Sequence, residues 1–558
     1  MVVQLTSWLL PNHYLPWSTF YQDLLSGSAL ALLFMVWSIT AVNLKAPQIA
    51  LLTLIVALLP LLQWWAGIIP LGGDAIMASL YLFGFSVAIT MGYNLAHSDY
   101  DIPHALSVIF IIGGLASTAL SLYQWLQLSG LGIYAADLGP NAWPYGNLAQ
   151  PNNLATLLIC ALLSSTFLWE KNRISALTAS LIAIVLIFGI ALTQSRTPWV
   201  VALALAIWWF WKKKALAIKL QGSTLFACLG FYAAVFLSLP LLTETLFLHQ
   251  PTNQITTSLG VRATIWQQLL DAAWNGPWWG YGWKQVSAAQ ISFSLDYPIS
   301  QLVQHSHNLF IELLVSNGPW LGGLLVILIS GWVIFKAWRV ASLDNWFSMA
   351  IIGTMLTHAM LEYPLHYAYF LIPFGLLTGH IEGTCSISIP RFFCLPRWLA
   401  GCAAISSTLM LVLIAREYLI IEDDFRLLRF ESRNIGTLRA TQPAPDVVIL
   451  SQLREFIAFA RTKAKKNMSE EEINKMEVVA HRFAFPSSMF RYALALGLNN
   501  QPTIAQLELQ RLRKLHGEEV YQEAIDNWES LYNRYPELKI YTTKNSDRLS
   551  TSSKSGAY

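Results

Sequence analysis

The sequence predicts an all-α polytopic membrane protein, a bundle of about 12 spans followed by a soluble helical domain. Its 558 residues are 55% hydrophobic and only 12% charged, about half the charged fraction of an ordinary soluble domain. The charge is also segregated. Residues 1–415 hold 14 of the 35 Lys+Arg and 13 of the 32 Asp+Glu, which leaves 21 and 19 for Arg416 onward. This divides the chain into a membrane domain over 1–420 and a water-soluble domain over 421–558. The basic residues are scattered rather than striped, so the net charge of +3 gives no reason to expect nucleic acid.

Apolar runs of spanning character fall near 24–42, 49–69, 75–95, 105–128, 149–169 and 174–194. Others follow near 197–211, 222–242, 309–335, 346–362, 365–382 and 398–420, the run at 197–211 being short for a bilayer. Met1–Leu25 has neither a basic n-region nor a small-residue cleavage site, so no cleavable signal is expected there. The five cysteines lie in or beside the runs without ligand-like spacing, and are expected as buried small hydrophobes, with no disulfide and no metal.

The basic residues orient the bundle. Lys45, Lys171, Arg173, Lys212, Lys213, Lys214, Lys219, Lys336, Arg339, Arg391 and Arg397 fall in alternate loops, which the positive-inside rule makes cytoplasmic. Arg196, Arg262 and Lys284 are left on the far side. That side receives the loops near 129–148, 195–197, 243–308 and 362–364, the N-terminus and the C-terminal domain.

Each external loop carries polar groups that a plain connector does not need. Gln150, Asn152 and Asn153 open the run at 149–169; an asparagine there ordinarily caps the helix, a role that does not account for Gln150. Arg196 sits between two runs, where headgroup snorkelling is the plain alternative. The loop over 243–308 contains Arg262 near a helix start, where the helix dipole favours an acid, so an anionic partner is expected. Its tryptophan-rich turn Asn275-Gly-Pro-Trp-Trp-Gly-Tyr-Gly-Trp283 suits the lipid–water interface. It ends on His305, His307 and Asn308, at the mouth of the run 309–335, which Glu312 and an Asn317-Gly-Pro-Trp320 turn interrupt. Imidazoles there stay wet enough to transfer protons and to touch lipid headgroups. Glu362, Tyr363, His366 and Tyr367 surround a proline in the last loop.

Arg196 and Arg262 with His307, Gln150 and Tyr363 are expected to line one polar cavity facing away from the cytoplasm. Arginine pairs bidentately with phosphate, and a diphosphate leaving group takes about two such partners. A sugar diphosphate on a lipid carrier suits that geometry. No nucleotide-binding glycine loop is present, and no cofactor is implied.

Gln150-Pro-Asn-Asn153, Gln194-Ser-Arg-Thr197, His305-Ser-His-Asn308, Leu361-Glu-Tyr-Pro364 and Tyr369-Phe-Leu-Ile-Pro-Phe-Gly375 together resemble the bacterial protein O-oligosaccharyltransferases. These belong to the superfamily of lipopolysaccharide O-antigen ligases and Wzy-type polymerases. The resemblance runs in order over most of the chain and departs at the N-terminus, where the family has a clear first span. It implies a GT-C-like bundle in the bacterial inner membrane with its site facing the periplasm. It implies transfer of a preassembled oligosaccharide from undecaprenyl diphosphate to Ser or Thr of a periplasmic acceptor such as pilin. Gln150, His307 and Tyr363 would serve transfer and Arg196 and Arg262 would hold the diphosphate, with His305, Asn308 and Glu362 in support. An O-antigen ligase acting on lipid A core is the alternative enzyme. A transporter of lipid-linked sugars is the alternative of another class; it would favour a charge pathway through the bilayer, whereas the ionisable groups here cluster at one face.

The soluble tail reads as helical. Arg491-Tyr-Ala-Leu-Ala-Leu-Gly497, Ala505-Gln-Leu-Glu-Leu-Gln-Arg-Leu512 and Tyr521-Gln-Glu-Ala-Ile525 have the look of a tetratricopeptide-like helix pair without a clean repeat period. Acceptor binding or capping of the membrane domain is its expected role. The Ser/Thr/Lys-rich segment after Lys544 is expected to be disordered.

Overall fold

A computed structural model describes residues 1–40, 43–139, 142–248, 258–385, 392–432 and 442–541. Arg391 and the segment after Lys544 lie outside the described residues.

Each of the twelve apolar runs forms a helix. In chain order these are α2 (Phe20–Thr40), α3 (Gln48–Trp65), α4 (Gly72–Leu95), α5 (Ile102–Trp125), α6 (Pro151–Glu170), α7 (Ala176–Leu192), α8 (Thr197–Lys212) and α9 (Gly222–Thr245), then α12 (Leu309–Arg339), α13 (Leu343–Ala359), α14 (Ala368–Thr384) and α15 (Arg397–Ser432). Eight of them are long and apolar enough to cross a membrane. The other four, α7, α8, α13 and α14, have 16 or 17 residues. Many side chains that point out of the bundle are apolar, among them Phe210, Leu237, Ile327 and Leu409. Water would not tolerate so continuous an apolar face, and lipid does. The chain is a multi-pass membrane protein of all-α class.

The N-terminal stretch forms α1 (Val2–Leu9), an eight-residue helix about 12 Å long. That is too short to cross a bilayer, and α1 is held instead by Trp8, whose indole N–H donates to the Tyr369 carbonyl at 3.1 Å. Two short strands, β1 (Asn43–Pro47) and β2 (Phe392–Pro396), pair antiparallel with Lys45 opposite Cys394; neither segment shows the alternation that would predict a strand. The cysteine expectation holds only in part. Cys160 is buried, whereas Cys394 and Cys402 are exposed on the outside of the bundle, and all five are free thiols.

Backbone contact between α4 and α14 sets the frame for the last external loop. A Cβ at Gly92 would lie 2.0 Å from the Leu376 carbonyl, and one at Gly379 would lie 2.0 Å from that of Ile89. Only glycine permits helices to meet this closely. In α12 the expected interruption is a kink: Gly318 has φ +74° and precedes Pro319.

The large loop folds into α10 (Ser258–Asn275) and α11 (Val286–Phe293). They share a small core of Ile265, Leu269, Val286, Val303, Ile311 and Val315, which fastens the loop to the start of α12. Beyond residue 420, α15 continues unbroken to Ser432. Five helices follow: α16 (Ser451–Arg461), α17 (Glu470–Arg482), α18 (Pro486–Leu498), α19 (Pro502–His516) and α20 (Glu518–Ser530). They dock on the start of α4 and on the large loop. Arg482 forks onto Asp74 at 2.6 and 2.9 Å. The Gly73 N–H donates to Ser451 Oγ at 2.8 Å, and the Ser300 N–H to the Lys514 carbonyl at 2.8 Å.

Candidate active site

The site is assembled where α6, α10, α12 and α13 end on the same side of the bundle. Gln150 precedes α6 in extended backbone and makes no side-chain cap, while Pro151 occupies the first turn. The expected capping by Asn152 or Asn153 is therefore corrected. Pro151 supplies the preset φ and has no N–H to satisfy. The asparagine side chains are directed elsewhere, Asn153 Nδ2 to the Tyr369 hydroxyl at 3.1 Å and Asn152 Nδ2 to Glu362 Oε1 at 3.2 Å.

Asn308 caps α12, its Oδ1 accepting from the N–H groups of Phe310 at 3.0 Å and Ile311 at 3.2 Å. Its Nδ2 donates to the Met360 carbonyl at 3.1 Å, which ties this turn to the end of α13. His307 immediately before it has φ +56°, a left-handed conformation rare for a residue with a side chain. One turn into α12, Glu312 accepts from the Ser306 N–H at 2.7 Å and faces His305 Nδ1 at 3.3 Å.

Glu362, just beyond α13, is the centre of the arrangement. Its Oε2 lies 2.6 Å from His307 Nδ1, and its Oε1 accepts from Arg262 Nη2 at 2.5 Å. Gln150 Nε2 approaches Oε2 at 3.4 Å. The side chain is only 3% exposed. Burial alone would raise its pKa, but the His307 and Arg262 contacts outweigh that and hold the carboxyl below the usual glutamate value. Arg262 thus has the anionic partner expected of a cation near a helix start, and that partner is a carboxylate of the chain itself.

Tyr363 lies between the two histidines, with ring centroids 4.7 Å from His305 and 5.1 Å from His307. The His366 ring packs on His305 at 4.2 Å, and Lys284 Nζ donates to His366 Nδ1 at 3.5 Å. Burial, with His305 and Lys284 adding to it, pushes His366 well below the ordinary histidine value, and burial also lowers His305 and Lys284. Arg262, Lys284, His305, His307, Tyr363 and His366 open onto a cavity of about 890 Å³, which Arg482 and Asp74 also line. Ligand atoms of His305, Glu312 and His366 all lie within 4.8 Å of one another, near enough to share a metal ion. The Lys284 ammonium beside His366 opposes a second cation there.

Seven of the expected residues meet: Gln150, Arg262, His305, His307, Asn308, Glu362 and Tyr363. Arg196 is exposed at the start of α8 and is not part of the cavity lining. Its neighbour Ser195 donates to Asn152 Oδ1, which joins that loop to the Glu362 cluster. Sequence reading gave Glu362 a supporting place and noted His366 without using it. It left Lys284 as a stray external cation and did not connect Asp74 with Arg482. The signal for Lys284 was available, since it is one of only three basic residues of the membrane domain that fall outside the loops the positive-inside rule makes cytoplasmic.

The chain is similar in sequence to known proteins. Residues 181–327 match the family described as O-Antigen ligase, 346–530 match Virulence factor membrane-bound polymerase, C-terminal, and 144–169 match Protein glycosylation ligase. A General O-oligosaccharyltransferase of Acinetobacter baylyi is 31% identical over 527 residues, covering 91% of this chain and 90% of that protein. A ComP-specific O-oligosaccharyltransferase of the same organism is 27% identical over 68% of this chain and 69% of that protein. No solved structure matches.

Proposed function

The chain belongs to the O-oligosaccharyltransferase family, and from that premise we propose how its cavity carries out the transfer. The enzyme moves an oligosaccharide en bloc from a lipid-linked donor to a protein hydroxyl. In our reading the donor lipid is undecaprenyl diphosphate and the acceptor a Ser or Thr of a periplasmic, pilin-like protein. The bundle then sits in the inner membrane, with residues 421–558 and the loop 243–308 in the periplasm.

The observation that carries the reading is the shared Glu362 carboxylate, with His307 on one oxygen and Arg262 on the other. An ionised carboxylate accepts the Nδ1 proton of His307 and leaves Nε2 as a lone-pair acceptor. The acceptor hydroxyl attacks the anomeric carbon and gives its proton to that nitrogen, while the bond from anomeric carbon to phosphate oxygen breaks. The departing diphosphate takes the electron pair. Arg262 neutralises it. Gln150 and Tyr363 frame the reacting groups beside the imidazole, and Asn308 and His305 hold the turn that presents it. Mass spectrometry of periplasmic glycoproteins tests this in cells carrying wild-type protein, His307→Ala or neither. Glycopeptides on Ser or Thr should appear with wild type alone, and their presence without the protein would refute the assignment.

A further inference from the structure

Three cations and one carboxylate line the cavity: Arg262, Lys284 and Arg482 against Asp74. Two of the cations are already paired, Arg262 with Glu362 and Arg482 with Asp74. Among the described residues Lys284 has no carboxylate partner; its contact is the neutral acceptor His366 Nδ1 at 3.5 Å. Glu312, Asp74 and Asp23 act on its charge from a distance, so what the ammonium lacks is an anion in direct contact, and a cation held in a partly buried site is best satisfied by one. The backbone nevertheless holds it there. Tyr281 and Gly282 donate to the Val315 and Ser316 carbonyls at 2.9 and 3.1 Å, and the Trp283 N–H donates to Gln63 Oε1 at 3.2 Å. Lys284 itself has φ +67°, unfavourable for a side-chain-bearing residue and maintained by these anchors.

We propose that Lys284 is a phosphate ligand of the donor, meeting the diphosphate in the cavity it shares with Arg262. The assignment rests on the reading of the cavity as a lipid-diphosphate site. The anion in contact arrives with the substrate, and the negative charge that grows on the leaving diphosphate is shared between the Lys284 ammonium and the Arg262 fork. The left-handed backbone fixes the approach of a side chain that is otherwise flexible.

The test is binding of farnesyl diphosphate to the full chain in nanodiscs, alongside inorganic pyrophosphate and phosphatidylglycerol. Wild-type protein should bind farnesyl diphosphate, Lys284→Met about tenfold or more weakly, and Lys284→Arg close to wild type. Lys284→Gln serves as a second neutral variant, with thermal melting to establish folding. Equal binding by wild type and a folded neutral variant overturns the role of Lys284 and leaves the donor reading standing. A Lys284-dependent preference for phosphatidylglycerol makes this a headgroup site and overturns the assignment. A wild-type protein that binds no farnesyl diphosphate overturns the donor reading and the assignment with it.

Discussion

The Nδ1 of His307 stands 2.6 Å from Glu362 Oε2, across 55 residues of sequence. The same carboxylate holds Arg262, so the imidazole and the guanidinium share one rigid frame. Neither can shift without disturbing the other, which is the preorganisation a two-group transfer needs. His305 has a carboxylate of its own in Glu312, at 3.3 Å, but that pair includes no arginine. The geometry therefore distinguishes the two histidines: the carboxylate that holds His307 also holds Arg262, and the one that faces His305 does not.

Arg262→Lys should impair transfer even though charge is kept. Lysine is a point charge and cannot serve Glu362 and a phosphate through two edges of one planar fork. Loss of one charge-assisted hydrogen bond, about 1.5–3 kcal/mol, corresponds to roughly a 10- to 150-fold fall in rate. Arg196→Lys, outside the cavity lining, should keep close to the wild-type rate in the same in-vitro glycan-transfer assay. A wild-type rate in Arg262→Lys would reduce Arg262 to a carboxylate partner.

Arg482 and Asp74 join the C-terminal helices to the membrane bundle through a nearly buried pair, with side chains 10% and 4% exposed. Arg482→Met leaves Asp74 buried without its partner and should destabilise the docked arrangement by about 3–5 kcal/mol. Limited proteolysis should then cut within the C-terminal helices while the spans stay intact. The double variant Asp74→Leu with Arg482→Met removes both charges and should recover most of the resistance. If Arg482→Met alone is as resistant as wild type, the pair does not hold the domain.

His366 gives a pH dependence with a definite sign. Burial, helped by His305, Lys284 and His307 and opposed by Glu312, holds its folded pKa well below the ordinary value. The unfolded chain takes up a proton on this ring near pH 6.5 and the folded chain does not, so acidification favours unfolding. The melting temperature in detergent should fall as pH drops from about 7 to about 5. His366→Asn should make that slope shallower, with His305, depressed in the same direction, accounting for part of the remainder. An unchanged slope in His366→Asn would show that the ring is accessible to protons in the folded state.

The helices were legible because apolar runs of spanning length are a local signal, and each of the twelve is present. The external loops were legible because charge and aromatic residues interrupt those runs. The position of Glu362 at the centre was not. Its partners Gln150 and Arg262 lie 212 and 100 residues away, and no local period encodes a meeting of loop ends. Asn152 misled for a related reason, because N-cap preference describes a helix in isolation and here a tertiary partner competes for the side chain. Lys284 was visible as an external cation, but its place in the cavity depends on a left-handed backbone fastened to the kink in α12.

His307 can act as a base or as a positioning group. A serine or threonine hydroxyl is a poor nucleophile, whereas diphosphate is already a good leaving group. The step in most need of help is removal of the hydroxyl proton, and a neutral imidazole in reach contributes about 10²–10⁴-fold. The competing role is positioning, with Arg262 and Lys284 carrying the chemistry by stabilising charge. The two roles separate at His307→Gln. Glutamine can reach Glu362 and donate to it, so it preserves the Arg262–Glu362–residue 307 frame, but it cannot take up the proton. If His307 is the base, His307→Gln and His307→Ala should both lose about 10²-fold or more in rate while donor affinity stays within a few-fold of wild type. Transfer by His307→Gln at close to the wild-type rate would remove the base assignment and leave His307 as the residue that sets the position of Glu362.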